Sequence, residues 1–368
     1  MNNRDWSQAR NLLCIRLDSI GDVLMATPAM RALKQSAPQR RLTLLTSSTG
    51  ASVAPMIPEL DDVIVYDAPW MKATPARRDA TQDAAMVETL AARGFDAAVI
   101  FTTFSQSPLP AALLCYLAGI PLRLAHCHES PYQLLTDTVQ DPEPSRCIRH
   151  EVRRQLDLVA QAGCLTEDES LSLRVPMEAR ESVSRQLEQE RGLNPERPWV
   201  LIHPGSSAAS RRYPAPSFAE VARALVLEHG YQVVFSGSES ERALVEHIVM
   251  LLDAPVISLI GRTGLAELSA LITLAPLLIS NNTGPVHIAA AVQTPVVDLY
   301  AMTNPQHQPW QVPHRVLMHE TECGYCYKSV CTAGHHACLA GIAPSEVVAA
   351  TLSLVEEVGL GEARLVRI

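Results

Sequence analysis

The chain has 368 residues, 47% of them hydrophobic and 19% charged, which excludes a disordered or fibrous protein and exceeds the length of one compact core. Its net charge of −9 argues against general nucleic-acid binding. The first ten residues lack the pattern of a signal peptide, and the most apolar window, 268–280, is shorter than the roughly 20 residues that span a bilayer. We therefore expect a cytoplasmic protein of two domains, whose contact with any membrane is peripheral.

The first half of the chain predicts strands and helices in alternation. A β-type run ends near Leu17, and a loop leads into a helix in which Val23, Met30 and Leu33 share one face. Residues 108–149 are rich in Pro, His and Arg and predict loops around short helices. Strands are predicted at 11–17, 41–46, 63–66 and 97–101, and helices at 22–35, 88–93 and 151–162.

A second alternating series follows the charged stretch 178–197. Strands are predicted at 199–202, 232–236, 256–259, 277–280 and 296–300, and helices at 217–229, 239–252, 265–273, 284–292 and 344–358. This alternation is typical of the α/β class, and it predicts two Rossmann-like domains whose parallel sheets face a central cleft. The expected domains are 1–176 and 177–343, followed by a C-terminal helix and tail at 344–368.

The loop between the first strand and the first helix contains two acidic residues, Asp18 and Asp22. It lies at the carboxyl end of a strand, where such sheets bind ligands. Because helix-end amides favour the charged form of a carboxylate, Asp22 could accept a proton from a hydroxyl group. The alternative is that either aspartate only caps the helix.

A second polar turn follows the strand at 199–202. It contains His203, Ser206 and Ser207 and continues to Arg211. Hydroxyl groups, free amides and an arginine at such a turn suit the oxygens of a diphosphate. The alternative is an ordinary polar loop with a solvated arginine.

A third polar turn follows the strand at 277–280 and begins the next helix. Asn282, Thr283 and Gly284 form the turn, and His287 lies about one helical turn further on. Amides at a helix N-terminus bind anions, and His287 could reach a phosphate or a sugar hydroxyl. The alternatives are that Thr283 is a plain N-cap and that His287 is merely packed.

Four of the nine cysteines cluster within sixteen residues: Cys323, Cys326, Cys331 and Cys338. The first pair has the spacing of metal ligands, but the last two do not match a zinc ribbon. A structural metal, redox-labile thiols and a disulfide pair all remain open. The chain contains no G-x-G-x-x-G and no G-x-x-x-x-G-K-[ST], which disfavours a dinucleotide oxidoreductase and a P-loop kinase.

In this order the motifs resemble those of glycosyltransferase family nine, the heptosyltransferase family. The resemblance covers nearly the whole chain and rests on 15–22, 118–121, 150–151, 203–206, 211–214, 235–237 with Glu241, and 280–287. It implies a GT-B fold and inverting, metal-independent transfer of heptose from ADP-heptose to the inner core of lipopolysaccharide, at the inner face of the inner membrane. No cofactor and no metal are implied.

The resemblance also assigns roles to single residues. Asp22 falls on the catalytic base of the family. The family's donor-binding positions fall on Ser206, Ser207, Arg211, Glu241, Asn282, Thr283, Gly284 and His287. An anionic acceptor predicts a basic patch, for which the candidates are Arg123, Arg146, Arg149, Arg153 and Arg154; the alternative is that these are solvated charges.

Two positions depart from the family pattern. Arg211 replaces a lysine, which keeps the charge but changes its geometry. Asn282 replaces an aspartate that contacts the donor sugar, and an amide cannot accept hydrogen bonds on two charged oxygens. The departures leave open a transferase of the same fold with another nucleotide sugar or acceptor. Beyond transferases, a non-catalytic nucleotide-sugar binding protein and an epimerase of the same fold are the rival hypotheses.

Overall fold

The computed structural model describes residues 6–190, 193–194, 197–301 and 304–359. The tail expected at 360–368 and part of the stretch that joins the two halves lie outside these ranges. The chain divides into two compact units, residues 1–174 and 175–368. No helix within the described ranges combines the length and the apolar character needed to cross a membrane.

The first unit is a parallel sheet of six strands in the order β3-β2-β1-β4-β5-β6. Its strands are β1 Asn11–Ile15, β2 Arg41–Thr46, β3 Asp62–Val65, β4 Ala97–Ile100, β5 Leu122–Cys127 and β6 Asp137–Gln140. Its helices are α1 Ile20–Met25, α2 Thr27–Gln35, α3 Ser48–Ala51, α4 Thr81–Arg93, α5 Leu109–Leu117 and α6 Glu151–Ala160. The strand order reverses between β1 and β4, so ligands are expected at the carboxyl ends of these two strands.

The second unit is also a parallel sheet of six strands, in the order β12-β11-β10-β7-β8-β9. Its strands are β7 Trp199–His203, β8 Gln232–Phe235, β9 Ile257–Ser258, β10 Leu278–Asn281, β11 Val296–Leu299 and β12 His314–Leu317. Its helices are α7 Met177–Gln189, α8 Ala215–Leu227, α9 Arg242–Leu252, α10 Leu265–Leu274, α11 Gly284–Val292, α12 Ala337–Ala340 and α13 Pro344–Glu357. Here the order reverses between β7 and β10.

The prediction of two parallel, Rossmann-like sheets is confirmed. The predicted helix at 22–35 is in fact two helices, because the chain bends at Ala26 and restarts with Pro28 in the first turn of α2. The charged stretch at 178–197 contains α7, which buries Ala179, Val183 and Leu187 at helical spacing. The terminal helix α13 is part of the second unit's core.

The sequence-based prediction missed three strands. In the region predicted as loops around short helices, β5 contains Arg123 and His126, two polar residues that interrupt the apolar pattern of a buried strand. They can be buried because backbone carbonyls form hydrogen bonds with their side-chain nitrogens. The edge strand β6 has only four residues, alternately half-buried and exposed. The edge strand β12 begins with His314 and Arg315 and is half-buried throughout. Short polar strands of this kind give almost no apolar pattern.

Candidate active site

A buried arginine organises the reversal point of the first sheet. Arg16 directly follows β1 and has no exposed surface. Its guanidinium pairs with Asp18 at 3.0 Å, Asp22 at 2.9 Å and Glu151 at 2.8 Å. Burial opposes its charge, but the three carboxylates outweigh burial and raise the pKa of Arg16, so it stays cationic.

Asp22 lies in the first turn of α1 and is fixed through both carboxylate oxygens. Its Oδ1 accepts from Arg16 Nη2 at 2.9 Å. Its Oδ2 accepts from Ser19 Oγ at 2.7 Å and from Ser19 N at 3.2 Å. The carboxylate therefore caps the helix, as the alternative interpretation has it, yet its side chain keeps 16% of its surface exposed. A capping carboxylate that reaches solvent can also accept a proton.

Asp18 pairs with the same arginine, and its side chain keeps the same 16% of its surface exposed as that of Asp22. Its Oδ1 accepts from Gln106 Nε2 at 2.7 Å, which joins the loop after β1 to the loop after β4. Burial raises the pKa of Asp18 to about 6; Arg16 opposes the rise, and Asp22 adds to it. The raised pKa means that Asp18 stays protonated up to a higher pH than an ordinary aspartate.

Glu151, in the first turn of α6, completes this cluster from the far side. It is fully buried, and its Oε1 accepts from both Arg16 and Gln155, the latter at 2.7 Å. Gln155 in turn donates to Thr102 O at 3.0 Å, just after β4. Sequence reasoning assigned no role to Arg16 or Gln106, although a lone arginine at the end of an apolar strand is a detectable signal.

The five arginines predicted to receive an anionic acceptor do not form a free basic patch. Arg154 is buried and pairs with Asp141 and Glu143, both at 2.6 Å. Arg123 is buried and donates to backbone carbonyls. Arg149 pairs with Glu143 and Asp157, Arg153 pairs with Glu169, and Arg146 is exposed. Most of these charges are already neutralised, so the prediction of a basic patch is wrong.

Strand β7 ends with a histidine that burial keeps neutral. His203 is buried, its Nδ1 lies 3.1 Å from Ser236 Oγ, and burial lowers its pKa. Ser206 is buried and its hydroxyl donates to Ala208 O at 3.1 Å, while Ser207 is exposed. His203 therefore adds no positive charge to this loop.

Arg211 is the more suitable of these arginines for an anion. It ends a 3-10 turn, Ala209–Arg211, and is half-buried. Its Nε is buried without a hydrogen-bond partner, and no carboxylate within the described ranges pairs with it. The neighbouring Arg212 is exposed and spends its Nε on Ser206 O at 2.8 Å. The guanidinium of Arg211 thus has the unused donors that a phosphate needs.

Glu241 lies over the loop after β7. Its Oε2 accepts from Ser238 N at 2.7 Å and from Ser238 Oγ at 2.9 Å. A methyl group on Gly205 would lie 1.7 Å from Glu241 Oε1, so the carboxylate keeps its place only because residue 205 is glycine. The structure therefore brings two sequence-predicted segments, the β7 loop and Glu241, into contact.

Asn281, the last residue of β10, meets the β7 loop, and sequence reasoning assigned no role to it. Asn281 is fully buried; its Nδ2 donates to Pro204 O at 2.8 Å, and its Oδ1 accepts from Tyr213 N at 2.9 Å. Thr283 occupies the N-cap position of α11 but makes no side-chain capping bond. This leaves the N-terminus of α11 without a side-chain cap, while His287 is buried one turn further on.

Asn282 faces inward through its nitrogen. Its Nδ2 donates to Asp298 Oδ2 and to His307 O, each at 2.9 Å. Asp298, on β11, is fully buried, and burial raises its pKa well above the usual range for an aspartate. Sequence reasoning missed Asp298, although a carboxylate within the apolar run Val296–Leu299 is unusual.

Within the described ranges no disulfide joins the four clustered cysteines, and they line a cavity of about 40 Å³ together with His335 and His336. Backbone amides, that of His336 first, lower the pKa of Cys331. Within the part of the chain that the structure describes, no three His, Cys, Asp or Glu side chains are arranged to hold a metal ion. Ser210, next to Arg211, also lines the cavity and donates to Lys328 O at 2.8 Å, so this segment supports the Arg211 turn.

Comparisons with known proteins agree with one another. The family model described as glycosyltransferase family 9 (heptosyltransferase) matches residues 84–337. Lipopolysaccharide heptosyltransferase 2 of Salmonella typhimurium is 26% identical, over 95% of this chain and 99% of the relative. Two solved structures, each 24% identical, share the fold. The first is a family 9 glycosyl transferase from Veillonella parvula, with a TM-score of 0.76, covering 95% of this chain and 97% of that one. The second is ADP-heptose lps heptosyltransferase II of E. coli, with a TM-score of 0.72, covering 95% of this chain and 99% of that one.

Proposed function

Since the chain belongs to glycosyltransferase family 9, we propose that it transfers heptose from ADP-heptose to the inner core of lipopolysaccharide. The chain is a glycosyltransferase with the predicted GT-B fold. The names of its relatives support the donor and the acceptor: lipopolysaccharide heptosyltransferase 2 in Salmonella and an ADP-heptose enzyme in E. coli. The site for such an acceptor would lie at the cytoplasmic face of the inner membrane.

The observation that best supports this function is the contrast between the two sheet reversal points. The first presents carboxylates around a buried arginine, and Asp22 reaches solvent there. The second presents Arg211, which no described carboxylate neutralises, and a helix N-terminus without a side-chain cap. A transferase needs one group that removes a proton from the acceptor and others that bind an anionic donor.

In the proposed reaction Asp22 is the general base. Its carboxylate takes the proton of the acceptor hydroxyl while that oxygen attacks the anomeric carbon opposite the leaving nucleotide, which inverts the configuration. The three hydrogen bonds to Asp22 hold the carboxylate in one orientation. Because Arg16 pairs with three carboxylates and not with Asp22 alone, it fixes Asp22 without neutralising the whole cluster.

The second unit stabilises the departing ADP without a metal ion in this proposal. Arg211, the hydroxyl of Ser207, the hydroxyl of Ser206 once it turns away from Ala208 O, and the amides of Thr283 and Gly284 take the developing negative charge. Glu241 accepts from the nucleotide's hydroxyls, and Asn282 and His287 contact the sugar, so each has one donor-binding role. The uncapped N-terminus of α11 and the unneutralised Arg211 support this arrangement.

A second candidate is a transferase of the same fold with another nucleotide sugar, which the neutral Asn282 favours. Calorimetry with ADP, UDP, GDP and ADP-heptose separates the two. We expect selective binding of ADP that heptose tightens, and release of ADP from ADP-heptose only when a heptose-free lipopolysaccharide core is added. Preference for UDP or GDP would remove the heptose assignment and leave the family membership intact.

A further inference from the structure

The amide of Asn282 has a single orientation, set by two acceptors. A primary amide has two N–H donors and one carbonyl oxygen. Both donors of Asn282 point inward, one to Asp298 Oδ2 and one to His307 O, each at 2.9 Å. The carbonyl of His307 can only accept, so it requires the nitrogen, not the oxygen, on that side. Among the described residues, none donates a hydrogen bond to Asn282 Oδ1.

The burial of Asp298 is expected to lower the stability of the folded chain. Its side chain is fully buried in β11, and its Oδ1 has no hydrogen-bond partner within the described ranges. Burying a carboxyl oxygen without a donor is costly. The adjacent strands β10 and β11 are already joined by a backbone ladder, so Asp298 is not needed to hold them together. Among the described residues, the one side-chain hydrogen bond of Asp298 is to Asn282.

We infer that Asp298 is a positioning residue that turns Asn282 Oδ1 toward the donor and so selects a ligand with hydroxyl groups at that point. The inference rests on the proposed function and names what this part of the donor site recognises. An outward amide nitrogen would suit phosphate, whereas an outward oxygen can only accept. The sugar hydroxyls of the donor supply hydrogens, and its phosphates do not. The pair therefore recovers with a neutral oxygen the acceptor role that an aspartate would have at position 282.

The test compares ADP with ADP-heptose, because the pair should act on the sugar alone. We expect Asp298→Leu to weaken ADP-heptose binding roughly three- to tenfold, the effect of one lost hydrogen bond, and to leave ADP binding unchanged. Asp298→Asn can still accept from Asn282 Nδ2 and should retain most of the ADP-heptose affinity. The measurement is the ratio of the two dissociation constants by calorimetry for each variant.

An exchange of the two side chains separates positioning from simple support of the fold. Asn282→Asp places two carboxylates side by side, and it should lose the sugar's contribution to binding. Adding Asp298→Asn removes the repulsion between the two carboxylates and should recover part of that contribution, because His307 O still lacks the donor that Asn282 supplies in the wild type. The control is Thr294→Val, which removes a buried hydrogen bond to Ile272 O elsewhere in the same unit and should leave the ratio as in the wild type.

Each outcome has one meaning. Loss of the sugar's contribution in Asp298→Leu, with retention in Asp298→Asn and partial recovery in the exchanged pair, supports the inference. Equal weakening of ADP and ADP-heptose, or no change in either, overturns it while the proposed function stands. A wild-type protein that binds neither nucleotide overturns the proposed function as well, and thermal unfolding of each variant shows that the comparison is between folded proteins.

Discussion

The loops that follow β1 and β7 occupy equivalent places in two similar sheets, yet their electrostatics are opposite. After β1, the buried Arg16 has three carboxylate partners. After β7, Arg211 has no carboxylate partner within the described ranges. The fold alone therefore does not determine the chemistry at a sheet reversal point. A few side chains surround the first site with carboxylates and leave the second with an arginine that no described carboxylate pairs with.

The largest expected effect contrasts the two arginines directly. Arg16→Met should lower the free energy of unfolding by about 3–5 kcal/mol, because it leaves Glu151 buried without its charged partner. Arg211→Met should change it by less than about 0.5 kcal/mol, because no ion pair is lost. Urea denaturation measures both. Equal losses in the two variants would show that the cluster around Arg16 is not what holds the first site together.

The next effect concerns pH and is confined to the first site. The pKa of Asp18 is raised from 3.8 to about 6, so its contribution to stability is fully present below pH 3.8 and is lost as the pH rises through 6. The loss should reach at most about 3 kcal/mol, at about 1.4 kcal/mol per pKa unit. In urea denaturation experiments from pH 4 to pH 7, Asp18→Asn should reduce the dependence of the free energy of unfolding on pH. An identical slope in both proteins would contradict the environment described for Asp18.

A third prediction concerns binding at the second site. Arg211→Met should weaken ADP binding by at least about tenfold, because it removes charge-assisted hydrogen bonds to the diphosphate. Arg211→Lys should recover part of the affinity, since it keeps the charge but not the planar fork. Arg212→Met is the matched control, because that guanidinium already binds Ser206 O. Calorimetry in which the control weakens ADP as much as Arg211→Met would remove the special role of Arg211.

The smallest expected effect tests the contact between Gly205 and Glu241. A methyl group at position 205 should push the carboxylate off Ser238, with a loss of about 1 kcal/mol, the value of a helix cap. Glu241→Ala alone should lower the free energy of unfolding by about as much as Gly205→Ala does. In the Gly205→Ala background, Glu241→Ala should cause no further loss. Thermal unfolding of the four proteins gives this cycle, and additive losses would show that the two residues act independently.

The sequence predicted the alternation of strands and helices because apolar periodicity is local. It also predicted the polar turns, since a turn between a strand and a helix has a recognisable composition. The residues that these turns contact could not be predicted, because they are far away in the sequence. Arg16 and Glu151 are 135 positions apart, and Asn281 and Pro204 are 77 positions apart. The same limit explains Asp298: the run VVDLY shows a carboxylate in an apolar strand, but only the packed sheet shows that it faces Asn282.

The prediction of a basic patch is wrong for a related reason: the sequence composition does not show which arginines form ion pairs with carboxylates. Five arginines between positions 123 and 154 predict a positive surface, but Asp141 and Glu143 lie beside Arg154 in the folded unit. A charge that already has a buried partner contributes little to attracting a ligand.

The most direct test of the division between the two sites is the turnover of Asp22→Asn beside that of Asp18→Asn. If Asp22 is the general base, its replacement should lower kcat by about 10²–10⁴-fold and leave the dissociation constant for ADP within about twofold. Asp18→Asn should lower kcat by less than about tenfold, because it changes a neighbouring carboxylate on the same arginine. An unchanged rate in Asp22→Asn, or a larger loss in Asp18→Asn, would contradict the assignment of the base to Asp22.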